Sequence, residues 1–454
     1  MRRIEEVKID GLFGYIKHDV KFSKTDPITI ISGPNGIGKT HFLRLLHAVT
    51  RLDFHTLSSV EFKAIEVHYA EKWVIKVAQL SKPDSGCVFR ISGKRPGVRN
   101  YRHLEVPYLD SGDDGRDTQD WMVRLPDGAW YDTRFERVMT TEQAKRYGLP
   151  ISSPIQRFEG TWLEEFYKGS ASILIDTQRL DSFPNYPQRG QARSSQSRPE
   201  PVVKRIRLYI DQIAAQLADA RRKSLNESLD ADQTFAKRVL EKTTTTINET
   251  DLKERYQRIA DQHAKLHDSG LSVRPVDVRF PEEETDETER RILNVFLDDW
   301  ERKLKPLLPI HGKLVSLQRI IKSKFVGKEL FLSEKGRIGF RSDFNRRPVS
   351  VQSLSSGEQH LLAVFAMLLF SAEQGALVLI DEPEISMHAA WKHSFLEDIS
   401  EVARISDLQI VLATHSSAII NGRWDLVQEI QAPRLRKMKP VANVDLDEDL
   451  EGEV

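Results

Sequence analysis

The sequence predicts an α/β fold: a mixed, largely parallel core sheet, an antiparallel β-meander and an inserted helical segment. Three observations predict it. Pro27-Ile28-Thr29-Ile30-Ile31 is a short apolar, β-branched run that leads through the glycine-rich stretch GPNGIGKT (33–40) into apolar residues at helical spacing over 41–49. Two later runs, ALVLIDEP (376–383) and LQIVLATHS (408–416), are apolar without alternation, as strands buried on both faces of a parallel sheet are. Residues 61–77, 87–92 and 121–131 alternate with period two, the pattern of an antiparallel meander.

Along the chain, residues 1–30 read as strands that end at the glycine-rich loop. The spacing from Gly33 to Gly38, Lys39 and Thr40 fits G-x-x-x-x-G-K-[ST], and strand, loop and helix stand in the order that a phosphate cradle requires. Gly33, Gly36 and Gly38 let backbone N–H groups converge on phosphate oxygens, Lys39 adds a point charge for the β- and γ-phosphates, and the Thr40 hydroxyl is a ligand for Mg²⁺. The alternative is a glycine-rich hairpin turn with one exposed lysine.

Asp110-Ser111-Gly112-Asp113-Asp114-Gly115 lacks the ligand spacing and closing glutamate of a calcium loop and reads as a solvated turn. ASILIDTQRL (171–180) is an apolar strand ending in polar residues, and 183–201, rich in Pro, Gln, Ser and Arg, is a flexible linker. The first lobe is therefore 1–182. From 202 to 326 the pattern is helical and charged, with one apolar stripe at Ile206, Ile210, Ile213 and Leu217 and a second at Tyr256, Ile259, Ala260, His263 and Leu266. Two readings stand: a short coiled coil or helical bundle projecting from the main body and serving assembly or sensing, or surface helices packed on the core. His263 reads as a packed residue. Strand pattern returns at 328–349, a second lobe spans 327–430, and 431–454 is a basic then acidic tail.

Ser353-Leu354-Ser355-Ser356-Gly357-Glu358-Gln359 precedes the apolar helix HLLAVFAMLLF and offers hydroxyls and N–H groups to an anion at a helix N-terminus. Eighteen residues on, the run at 376–380 closes on Asp381 and Glu382, at the strand edge where open α/β sheets place ligands. Asp381 suits Mg²⁺, directly or through water; Glu382 suits a water that attacks the γ-phosphate. A helical stretch at 389–403 then leads to the strand that delivers His415 to the same edge, as a hydrogen-bonding partner for that phosphate or water or as a satisfied core histidine.

Composition bounds the rest. The 454 residues exceed one ordinary domain, and 67 Lys and Arg against 67 Asp and Glu give no global basicity, so any nucleic-acid surface must be local. The single Cys87 excludes an internal disulfide framework and a cysteine-based zinc cluster. No apolar stretch approaches the ~20 residues that span a bilayer, and Met1-Arg2-Arg3-Ile4-Glu5-Glu6 opens no signal-peptide core, so a cytoplasmic protein away from membranes is expected.

With these residues in order, the chain resembles the ABC-type ATPases, in the branch without membrane domains that includes RecF, SMC and Rad50 proteins and the OLD-like ATPases of phage defence. GPNGIGKT is similar to their Walker A, LSSGEQ (354–359) to their signature motif, LVLIDEP to their Walker B with its adjacent catalytic glutamate, and ATHS (413–416) to their switch histidine. The resemblance covers roughly 1–180 and 328–425 and implies an ABC-type P-loop ATPase head with a helical insertion. It implies nucleotide contacts from Asn35, Gly36, Gly38, Lys39, Thr40, Ser355, Ser356, Gly357 and Glu358, metal ligation by Thr40 and Asp381, and catalysis by Glu382 and His415. Gln178 fits the glutamine that contacts Mg²⁺ and the attacking water, with Gln79 as a competitor; Phe13 or Tyr15 is a candidate for stacking on adenine.

ATP and Mg²⁺ are the cofactors so implied. The family packs two heads head to tail, so one set of motifs per chain implies a homodimer or higher homo-oligomer in which Ser355, Ser356 and Gly357 act in trans. The wording DEPEISMH and LIDTQRL is similar to stand-alone ATPases of bacterial anti-phage operons, such as those of the PARIS and Septu systems. That implies a slow ATPase switch holding a separate effector, a Toprim-type or HNH-type nuclease, released by a phage-protein trigger. Two alternatives stay open: a RecF- or SMC-like repair ATPase that clamps DNA through Lys204, Arg205, Arg207, Arg221, Arg222, Lys223 or RLRKMK (434–439), and a scaffold that holds ATP with negligible turnover.

Overall fold

The computed structural model describes residues 2–81, 87–108, 122–124, 130–132, 137–139, 158, 160–167, 172–176, 201–241, 248–272, 279–333 and 336–430. Gln178, the linker, the acidic turn at 110–115 and the tail lie outside these residues. The elements run β1 (Ile4–Leu12), β2 (Ile16–Lys21), β3 (Ile28–Ser32), α1 (Lys39–Arg51), α2 (Phe54–Ser59), β4 (Ala64–Tyr69), β5 (Trp73–Ser81), β6 (Cys87–Lys94), β7 (Arg102–Tyr108), β8 (Met122–Arg124), β9 (Trp130–Asp132), β10 (Arg137–Met139), α3 (Glu164–Tyr167) and β11 (Ser172–Asp176). The helical segment follows as α4 (Pro201–Glu241), α5 (Glu249–Asp268), α6 (Glu287–Leu304) and α7 (Leu308–Lys324). The chain closes with β12 (Lys328–Leu332), β13 (Ile338–Ser342), β14 (Pro348–Val349), α8 (Ser356–Ala366), β15 (Leu377–Asp381), α9 (Ala389–Ile405), β16 (Gln409–Ala413), α10 (Ser417–Ile420) and β17 (Val427–Glu429).

A five-stranded sheet in the order β11-β15-β16-β3-β17 forms the centre, and every neighbouring pair is parallel. Its strands are continuous apolar runs because both faces are covered. Ile28, Ile30, Ile173, Ile175, Val378, Ile380, Ile410 and Leu412 enter one buried cluster with α4, α7, α8 and α9. Ile31, Leu377, Leu379, Val411 and Ala413 enter another with α1 and the antiparallel sheet. The pleat sends successive side chains to opposite faces, so removing alternation from the sequence costs nothing here.

The meander is a six-stranded antiparallel sheet, β2-β1-β4-β5-β6-β7, whose inner face carries Val7, Ile9, Ile65, Val67, Ile75, Val77, Phe89 and Ile91. Two small antiparallel sheets, β10-β9-β8 and β12-β13-β14, complete the strands.

In the helical segment, α4 and α7 pack on the head, while α5 and α6 pack on each other and on α4. Ile206, Tyr209, Ile213, Leu217 and Ala220 repeat at helical spacing and are buried in the same cluster as Leu361, Leu362 and Phe365 of α8. The second stripe is buried as well, through Ile259 and Leu266. His263 is a packing residue: its Nε2 lies 2.8 Å from Ser272 Oγ, and Trp300 Nε1 donates to its Nδ1 at 3.2 Å. Polar contacts hold the helices to one another, with Arg255 donating to Asn294, Asp298 and Glu301 across the α5–α6 seam.

Candidate functional site

Parallel pairing fixes where the motif residues end up. Asp176, Asp381 and Ala413 stand level across β11, β15 and β16, and Ile31 of β3 is level with Ala413. The residues that follow each strand therefore emerge at one carboxyl edge: the glycine-rich loop after β3, Glu382 after β15, and Thr414 and His415 after β16.

The loop is shaped by its glycines. Gly38 precedes α1 at φ 90°, a left-handed conformation, and a Cβ there would sit 2.7 Å from Leu12 Cδ2. At Gly33 a Cβ would meet Ile430 O at 2.6 Å, so backbone passes too close for a side chain. From the β1–β2 hairpin, His18 Nε2 lies 3.0 Å from Ile37 O, which accepts from it, and burial pushes the His18 imidazole below its usual range. The hairpin tip places Phe13 edge-on to His41 of α1, ring centroids 4.9 Å apart, while Tyr15 is exposed.

Lys39 opens α1 and is buried, its Nζ donating to Gly33 O and Pro34 O at 3.0 Å each. Burial holds the ammonium below the usual lysine range, and the carboxylates of Glu382, Asp381 and Glu384 push the other way. One cation and three acids thus share the site. Asn35 and Gly36 are exposed on the loop, and Thr40 is half-buried in the first turn of α1. Hydroxyl and carboxylate oxygens, with a loop of N–H groups, form a donor set that suits Mg²⁺ and a polyphosphate.

Asp381 ends β15 buried. Glu382 takes φ 45°, a conformation unusual for a residue with a Cβ, and donates its N–H to Ala413 O at 2.8 Å. Its carboxylate Oε1 stands 3.8 Å from His415 Nε2. Glu384, to which the sequence reading gave no role, accepts from Thr414 Oγ1 at 2.7 Å and from the His415 N–H at 3.1 Å. The wording DEPE was its signal, an acid two residues beyond Glu382, but nothing local names its partner.

Ser355 is the N-cap of α8. Its hydroxyl accepts from Glu358 N at 3.3 Å, and Glu358 Oε2 accepts from Ser355 N at 2.7 Å. Glu358 is buried, and both its oxygens also accept from Lys328 Nζ at 2.8 Å. Gln359 Nε2 donates to Leu354 O at 2.9 Å. Ser355 and Ser356 are exposed and Gly357 is half-buried at the tip, so the motif presents small polar groups on a rigidly tied helix end. Gln79 lies on β5, its Oε1 accepting from Phe62 N, and lines a cleft of about 470 Å³ with Asp10, Lys17, Glu61 and Lys63.

A phosphate loop on a parallel sheet, with acids and a histidine at the same edge, defines the class: a P-loop ATPase head of mixed α/β fold. The family follows from the match of residues 134–421, more than half the chain, to the model described as "AAA domain, putative AbiEii toxin, Type IV TA system"; the chain belongs to that family. No curated protein matches it in sequence. Among solved structures it is similar to "SmcHead bound to the C-winged helix domain of ScpA", with 12% identity over 92% of this chain and 91% of that one and a TM-score of 0.33. It is also similar to the "SMC head domain from Thermotoga maritima", with 11% identity over 94% of each chain and a TM-score of 0.31. No helix among the described residues is long and apolar enough to cross a membrane.

Proposed function

We propose that this chain is a slow ATPase switch that closes head to tail around ATP and controls a separate effector, a nuclease of the Toprim or HNH type, in defence against phage. The observation that supports it is the convergence of Lys39, Asp381, Glu382 and His415 on one sheet edge. The loop N–H groups and Lys39 bind the phosphates, with Asn35 and Gly36 at the loop crest. Thr40 and Asp381, with Gln178, hold Mg²⁺, which when bound neutralises charge on the β- and γ-phosphates. Glu382 orients and deprotonates the attacking water, and His415 donates a hydrogen bond beside it. Ser355 and Ser356, exposed at the tip of α8, and the half-buried Gly357 complete the site of a second copy, with Glu358 tying that tip in place.

Light scattering of the Glu382→Gln chain with and without Mg²⁺-ATP, alongside steady-state phosphate release, tests the reading. ATP-dependent doubling of mass with measurable wild-type turnover is expected. Turnover stimulated by DNA would favour the DNA-clamping repair ATPase, negligible turnover the ATP-bound scaffold. The family description favours a second reading in which toxicity resides in this chain itself. Cleavage of plasmid, tRNA or phage DNA by the purified chain, persisting through further purification, would replace the two-component reading with that one.

A further inference from the structure

Glu384 is placed in the 3₁₀ turn of residues 383–386, directly after the left-handed Glu382. Its Oε1 collects two hydrogen bonds from the loop after β16, one from the Thr414 hydroxyl and one from the His415 backbone. Thr414 is fully buried; its N–H donates to Ile31 O at 3.1 Å, and its hydroxyl oxygen accepts from Ser416 N at 3.0 Å. A single carboxylate oxygen thereby holds two consecutive residues of the loop that carries His415, with Ser416 bonded in turn to Thr414, and ties them to the turn that carries Glu382. The other oxygen, Oε2, is buried and accepts no hydrogen bond among the described residues, so the side chain is not consumed by a second protein contact.

A hydrogen bond to a charged acceptor is stronger than one between neutral groups, and two of them from one loop restrict it in two directions. Glu382 and His415 follow different strands, and backbone pairing at Ala413 and this side-chain latch both join their loops. We infer that Glu384 is a positioning residue: it latches the loop after β16 to the turn after β15 and so sets the His415 imidazole 3.8 Å from the Glu382 carboxylate. The inference rests on the ATPase reading of the same site, because the distance it sets matters for a water held between those two groups.

The test compares Glu384→Ala with Glu384→Gln. The amide keeps an oxygen where Oε1 accepts, so Glu384→Gln holds the loop, while Glu384→Ala frees it. We expect Glu384→Ala to lower kcat about 10- to 100-fold with the KM for ATP within about threefold of wild type, and Glu384→Gln to restore most of the loss. Thr414→Val, which removes one of the two donors, should lower kcat in the same direction and add little to Glu384→Ala, since both break one unit. A readout without turnover is the His415 ring resonance in histidine-labelled protein, assigned with His415→Asn: it should shift or broaden in Glu384→Ala and stay in place in Glu384→Gln. Equal kcat in Glu384→Ala and wild type, equal damage from Ala and Gln, or an unmoved His415 resonance in Glu384→Ala would each overturn the latch. A wild-type chain that binds and hydrolyses no ATP would sink the ATPase reading instead, and the resonance would still decide the latch.

Discussion

Lys39→Met removes the one cation that the phosphate loop carries inside the site while leaving the length of the side chain. In the structure Nζ is already satisfied by Gly33 O and Pro34 O at 3.0 Å, so nucleotide does not gain two new hydrogen bonds; it exchanges carbonyl acceptors for phosphate oxygens. What is gained is the charge–charge part of the exchange, about 4 kcal/mol for unit charges ~4 Å apart at an effective dielectric of about 20. Loss of that part corresponds to roughly a thousandfold weaker affinity at about 1.4 kcal/mol per decade. Asp381, Glu382 and Glu384, left without the lysine, repel the phosphates and add to the loss. Folding should hardly change. The methionine is spared the desolvation of a buried ammonium, and the freed Gly33 and Pro34 carbonyls sit on residues that water reaches. Calorimetric titration with Mg²⁺ and a non-hydrolysable ATP analogue measures the affinity, and thermal unfolding of the free chain checks integrity. An affinity within about tenfold of wild type would refute the assignment of Lys39 to the phosphates.

Glu382→Gln should bind ATP as tightly as wild type and lose at least about 100-fold in phosphate release, because the amide keeps the shape but removes the base; a wild-type rate would assign the carboxylate a different role. Lys324 and Asp398, with side chains 2% and 4% exposed, pair at 2.6 Å between α7 and α9. Lys324→Met should cost about 3 kcal/mol in urea unfolding, the lower end for a broken buried pair since Arg319 still reaches Asp398, and Lys324→Met with Asp398→Leu should recover most of it. Burial holds His18 below its usual pKa, so the unfolded chain takes up the proton first as pH falls. The stability His18 supports is complete above pH ~6.5 and is lost as pH drops from there toward its folded value, with a slope of up to about 1.4 kcal/mol per pH unit. Urea midpoints between pH 7.5 and 5 should show a shallower decline in His18→Phe; an unchanged slope would contradict it.

What the sequence revealed of this site is what neighbouring residues encode. Ile28–Ser32, the glycines and the helical apolar spacing of α1 are contiguous, and each local preference agrees with the next. The unbroken runs of β15 and β16 were legible because burial on both faces removes alternation, and parallel pairing then brought Asp381 and His415 to one edge. Pairings across long stretches of chain were not legible. Glu384 meets Thr414 thirty residues away, and Lys328 meets Glu358 at the same separation; nothing in either segment names its partner. The stripe of α4 announced an amphipathic helix but not its cover, because the helix it packs on, α8, is continuously apolar from Leu361 to Ala366 and carries no period of its own there.

That cover has a mechanical consequence. Every residue of α8 from Glu358 to Ala366 is buried, while Ser355 and Ser356 at its tip are exposed. The tip is tied to β12 through Lys328, and the far end runs into a π-helical turn, Met367–Ser371, where Gln216 of α4 donates to Phe370 O at 2.5 Å. A partner that engages the two serines therefore acts on a helix that cannot slide alone, because close-packed interiors have no free volume to absorb the movement. Displacement of α8 must carry β12 and α4 with it or be resisted by both. Past Ala220, α4 keeps Ser224 and Ala231 buried while Leu225, Leu229 and Leu240 are exposed, and Arg238 pairs with Asp299 of α6, so a displacement of α4 is carried into the seam between α4 and α6.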